Sequence, residues 1–74
     1  MQYDLTAFAI LMDRGPVATY RTSSDRARVS TSLEQCFDYA TTMTAKARRD
    51  IYIRLDDGGI ITAREIEVYL ASRP

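Results

Sequence analysis

TSLEQCFDYATTMTAKARRD, Thr31 to Asp50, decides how this chain is read. It is the one long segment whose apolar residues keep a helical period. Leu33, Cys36, Phe37, Ala40, Met43 and Ala47 recur at steps of three and four, so they share one helix face. Thr31 followed by Glu34 has the spacing of a capping box, in which hydroxyl and carboxylate satisfy the first free amides. Glu34 and Asp38 stand toward the N-terminal end, and Lys46, Arg48 and Arg49 toward the C-terminal end, which suits the helix dipole. The pattern predicts a helix over about Ser32 to Arg49. At about 1.5 Å per residue it would be roughly 27 Å long, enough to cross one face of a small sheet.

Upstream, Tyr3 to Met12 reads as a strand with two apolar faces from Ala7 onward. Tyr3, Leu5, Ala7, Ala9 and Leu11 alternate with Asp4, Thr6, Phe8, Ile10 and Met12. A competing reading has Asp4 capping a short helix that ends at Gly15, with Pro16 just beyond. The strand is preferred because Val17 to Thr22 looks like a hairpin partner across a turn at residues 13–16. Ser23 to Ser30 is polar and Arg-rich and is expected to be a loop, with a short strand at Ala27–Ser30 as the variant.

Downstream, Ile51, Ile53 and Leu55 alternate with Tyr52, Arg54 and Asp56, the period of a half-buried strand. Asp56, Asp57, Gly58 and Gly59 form a tight turn in which glycine supplies positive φ. Ile60 and Ile61 return as a short strand. Thr62 with Glu65 is a second capping box, which opens a closing helix from Ala63 to about Ser72 with Ile66, Tyr69 and Leu70 inward. Ile66, Val68 and Leu70 would also alternate as a strand. The predicted fold is a single α+β domain over residues 1–74. Its order is β-β-α-β-β-α, a small antiparallel sheet carrying one long helix and a short C-terminal one.

A chain of 74 residues buries about 60% of the surface its unfolded form exposes. Chains of this size are often supplemented by disulfides, metals or association. Cys36 is the only cysteine and there is no histidine, so an internal disulfide and ordinary zinc sites are excluded. Association is left as the supplement, or else an unusually efficient core. Ten bases balance ten acids, which removes any general attraction to DNA or anionic lipid. The charge is uneven, with the bases concentrated between Arg14 and Arg54 and acids toward both ends. No stretch approaches the roughly 20 apolar residues of a membrane span, and Asp4 precedes the apolar run 5–12 where a signal peptide would carry bases. One free Cys on an apolar helix face fits a reducing compartment, so a cytoplasmic location is expected.

The inventory for catalysis is thin. Without His, the commonest general base is missing. Cys36 stands among Leu33, Phe37 and Ala40 and reads as packing, and Asp56 and Asp57 read as turn residues. No enzyme, cofactor, metal or small-molecule substrate is expected. The basic residues carry more content. Arg48, Arg49 and Arg54, with Arg26 and Arg28 before the helix and Tyr52 beside Arg54, are the candidate contacts to a phosphate or carboxylate partner. Phe8, Ile10 and Met12 are the candidate dimer interface, because a strand with two apolar faces needs cover on both. The expected function is a small non-enzymatic protein-binding module, homodimeric, of the kind that phages and mobile elements encode to inhibit a host complex. The alternative is a nucleic-acid-binding module that uses the Arg-rich middle.

Overall fold

The computed structural model of the chain describes residues 3–14 and 25–73. Seven elements follow in the order β-β-α-α-β-β-α: β1 (Phe8–Asp13), β2 (Arg26–Ser32), α1 (Leu33–Thr41), α2 (Ala45–Arg48), β3 (Ile51–Leu55), β4 (Ile60–Ile61) and α3 (Ala63–Ser72). The four strands make one antiparallel sheet in the order β2-β1-β3-β4. The α+β class and the antiparallel sheet carrying helices are therefore as the sequence predicts.

Helices α1 and α3 pack on one side of this sheet. Ala9 and Leu11 of β1, Ile51 and Ile53 of β3 and Ile61 of β4 meet Leu33, Cys36, Phe37 and Ala40 of α1 and Ile66 of α3 in one core. Tyr3 and Tyr69 close its edge against Phe37. The Phe37 and Tyr69 rings stack at 4.0 Å, and Tyr3 meets both at 5.7–5.8 Å.

The expected long helix is divided. Residues 42–44 leave the helical path, so a nine-residue helix and a single turn replace one continuous rod. Three threonines cause the break. Thr41 and Thr42 donate their hydroxyls to the carbonyls of Asp38 and Tyr39, and the amides of Thr42 and Met43 tighten to i−3 acceptors. Thr44 takes extended dihedrals and accepts the Ala47 amide as a fresh N-cap. Such side chains compete with the helix for its own backbone groups. Arg48 then folds back, donating to the carbonyls of Met43 at 2.7 Å and Ala40 at 3.3 Å. It caps α1 through space, where the sequence places it at the end of the same helix.

Three further boundaries differ from expectation. The α1 cap is Ser32, whose hydroxyl accepts the Gln35 amide, while Thr31 donates to the Gln35 side chain. The first strand begins at Phe8 rather than Tyr3. Asp4 accepts both the amide and the hydroxyl of Thr6, which turns the chain. That turn brings the carbonyls of Ala7 and Leu5 to the first amides of α1, at Leu33 and Glu34. The partner that β1 takes is Arg26–Ser32, which contains the Ala27–Ser30 strand that the sequence offers as the variant to a loop, and the Val17–Thr22 strand lies outside the described residues.

The C-terminal third follows the sequence closely. Leu55 and Gly59 close the hairpin, and Gly58 takes φ +92 with its amide donated to Leu55. Thr62 and Glu65 form the reciprocal capping box of α3.

Candidate functional site

Because α1 and α3 lie on one side, the other face of the sheet carries whatever alternates with the core. On β1 these are Phe8, Ile10 and Met12, since Ala9 and Leu11 point into the core. On β3 they are Tyr52 and Arg54, and on β4 Ile60. The register aligns them in rows. Ser30, Ile10, Arg54 and Ile60 form one row across all four strands. Ala27, Met12 and Tyr52 form the next. Ser32 pairs with Phe8 on the other side of the first row, and Asp56, in the turn after β3, lines one hollow with Phe8.

The rows differ in cover. Tyr52 is only 8% exposed. Its phenol donates to the Asp25 carboxylate at 2.6 Å, and the Arg14 guanidinium sits 5.3 Å from its ring centroid. The bond to Asp25, then burial, hold the phenol above its usual titration range. Among the described residues the rest of the face is less covered. Phe8 is 49% and Ile60 48% exposed, Ile10 is half-buried, and Arg54 is exposed between the two isoleucines. A shallow hollow of about 170 Å³ lies among Phe8, Ile10, Arg54, Leu55 and Asp56.

Two residue sets that the sequence treats separately therefore share one surface. Phe8, Ile10 and Met12, read as a dimer interface, lie beside Tyr52 and Arg54, read as partner or phosphate contacts. The other basic candidates stand elsewhere. Arg48 lies on the helix side, its side chain 19% exposed and bonded to Glu67 at 2.6 Å as well as to the α1 carbonyls. Arg49 is exposed at the α2 C-terminus. A bulge between Leu11 and Met12 leaves Arg28 without a register partner, and its guanidinium meets Asp13 at 3.4 Å. Arg26 opens β2, opposite Asp13. The described bases of the Arg-rich middle are thus dispersed over separate surfaces, with Asp13 and Asp50 set among Arg28 and Lys46 around one open depression.

Sequence reasoning missed Ile60 and Asp56 as members of the face. The signal was present in both cases. Asp56 directly follows the strand that carries Tyr52 and Arg54, and the tight turn fixes Ile60 opposite Arg54.

Elsewhere, Cys36 is fully buried and burial pushes its thiol up, which suits packing rather than nucleophilic attack. Asp57 accepts the Gly59 amide, as a turn carboxylate does. A groove of about 410 Å³ runs between Tyr3, Tyr69, Val68 and the Arg64–Glu65 pair on α3. Among the described residues no three His, Cys, Asp or Glu side chains gather to hold a metal, and no helix is long and apolar enough to cross a membrane. No protein-family model, curated protein sequence or solved structure matches the chain.

Proposed function

We propose that the chain is a non-enzymatic protein-binding module whose docking surface is the sheet face opposite the helices. One observation carries the reading: Phe8, Ile10 and Ile60 lie together on a face that no helix covers among the described residues, around the exposed Arg54. Contiguous apolar surface with a polar rim is what protein interfaces bury, and Arg and aromatic residues are their usual anchors. A small module of this kind acts by occupying a surface on a larger assembly. Inhibition of a host complex by a phage or mobile-element protein would be one such use, in the cytoplasm.

The nucleic-acid reading draws on Phe8 beside Arg54, an aromatic ring next to a guanidinium. It is the weaker of the two. Tyr52, the second ring such a platform would need, is engaged by Asp25 and Arg14. The described bases also do not form one stripe.

Capture from cell lysate by immobilised chain, with and without nuclease, separates the readings. Wild type and Ile10→Arg are compared. The docking reading expects protein partners that survive nuclease and are lost with Ile10→Arg. Partners lost with nuclease would favour nucleic acid. Partners retained by Ile10→Arg would move the docking surface off the sheet.

A further inference from the structure

We propose that the occupant of this face is a second copy of the chain, packed sheet to sheet about a two-fold axis that crosses the strands at the level of Ala9 and Leu55; the proposal rests on the docking role of the face. The argument begins with charge. Arg54 on β3 and Asp56, the first residue of the turn that follows it, line one hollow with Phe8 and Ile10; both are exposed, and neither enters an ion pair among the described residues. An occupant that was only apolar would bury the Arg54 guanidinium without a counter-charge, which is costly. A suitable occupant brings a carboxylate over Arg54 and a cation over Asp56. The face itself carries that pair in reverse order.

The register makes the match specific. Ala9 lies opposite Leu55 and Ile10 opposite Arg54, and just past this last pair of the ladder Phe8 and Asp56 line one hollow. A half-turn about an in-plane axis through the Ala9–Leu55 level exchanges the rows on either side of it. Arg54 then lies over the second copy's Asp56, and Asp56 over its Arg54. The same rotation sets Phe8 over the second copy's Ile10. One operation thus pairs both charges and both apolar side chains, with the strands of the two sheets aligned as in sandwich packing. Sheets so packed stand about 10 Å apart, a gap that Arg and Asp side chains reaching from opposite sides can close.

Size sets the expected strength. Four strands at about 4.8 Å, with β1 six residues long at about 3.4 Å each, give a platform of roughly 19 by 20 Å, or about 400 Å² of flat footprint. Standard interfaces bury about 800 Å² per partner. The dimer therefore belongs to the weak class, and its population depends on concentration.

Sedimentation velocity between about 1 and 200 μM tests the pairing at a range suited to a small interface. Wild type should convert from monomer to dimer across the range. Arg54→Asp leaves two acids on the face and Asp56→Arg leaves two bases, so each alone should dimerise at least tenfold more weakly. Mixed in equal amounts, the two variants should form a heterodimer, because each now supplies what the other lacks. Circular dichroism confirms that each is folded. If either fails to fold, the double exchange Arg54→Asp with Asp56→Arg serves instead and should dimerise like wild type. Single variants that dimerise normally, or a mixture that stays monomeric, would overturn the reciprocal pair. A wild type that is monomeric throughout would overturn self-association, while the docking reading is judged separately by whether Ile10→Arg loses captured protein.

Discussion

Replacing Phe37 by Ala removes the central ring of the core, and the structure sets the scale of the loss. Phe37 is fully buried, stacked on Tyr69 at 4.0 Å and tilted against Tyr3 at 5.8 Å. Emptying a buried Phe site costs about 3–5 kcal/mol. Two features pull in opposite directions within that range. The aromatic contacts are each worth about 0.5–1.5 kcal/mol beyond area, which favours the upper end. Tyr3 and Tyr69 are only half-buried and can tilt inward to fill part of the cavity, which favours the lower. A loss of about 4 kcal/mol is expected. At roughly 0.05–0.15 kcal/mol per residue, a chain of 74 residues has about 4–11 kcal/mol in all, so the variant stands at the edge of unfolding. Urea titration followed by circular dichroism measures it. With a slope near 1 kcal/mol per molar, the midpoint should fall by about 4 M, or the folded baseline should vanish. Phe37→Leu keeps most of the volume and provides a graded point at about 1–2 kcal/mol. Val68→Ser, on the exposed side of α3, should change stability by less than about 0.5 kcal/mol. A Phe37→Ala chain within about 1 kcal/mol of wild type would refute the assignment of Phe37 to the centre of the core.

Other substitutions probe the joints and the closed end of the sheet face. Arg48→Ala should cost about 1–3 kcal/mol, because it takes the guanidinium away from the part-buried carbonyls of Met43 and Ala40 as well as from Glu67, whereas Glu67→Ala removes only the outer partner and should cost under about 1 kcal/mol; equal losses would mean that Arg48 acts only as a surface ion pair. Thr62→Ala removes the α3 cap and should cost about 1 kcal/mol in the same titration, and a neutral result would show that the helix start does not depend on the hydroxyl. The Tyr52 phenol, held above its ordinary range first by the bond to Asp25 and then by burial, binds its proton more tightly when folded. Its contribution is therefore fully present below about pH 10 and lost as pH rises through the folded value, and Asp25→Asn should lower the phenolate midpoint seen by ultraviolet titration; an unchanged midpoint would discard the bond.

The legible parts of the fold are those set by short-range chemistry. The alternation of β3, the Asp-Asp-Gly-Gly turn, β4 and the capping box of α3 each depend on residues no more than a few positions apart, and all stand where the sequence places them. The division of α1 from α2 was hidden because apolar spacing persists through it. Met43 and Ala47 continue the stripe of Phe37 and Ala40, and Met43 still packs on the core. The competing signal, three threonines at 41, 42 and 44, is weak residue by residue and decisive only together. β2 was hidden for the opposite reason. An edge strand needs no apolar face of its own, so Arg26 and Arg28 read as loop although they pair with β1, and only Val29 betrays the core side.

The candidate site was split by the same limit. Arg48 and Arg54 are six positions apart and chemically identical, and the sequence assigns both to one basic cluster. Helix geometry turns Arg48 back to the carbonyls of Met43 and Ala40, where its charge complements the α1 C-terminus. Strand geometry turns Arg54 the other way, between Ile10 and Ile60. Local structure, rather than residue type, thus separates a structural guanidinium from one available to a partner. It also gives the proposed docking face its selectivity. Phe8, Ile10 and Ile60 alone would accept almost any apolar surface. Arg54 and Asp56 in their midst penalise every occupant that does not bring opposite charges in the matching order. Specificity is a difference between affinities, and one unpaired charge inside an apolar contact lowers the affinity of wrong partners more than it raises that of the right one.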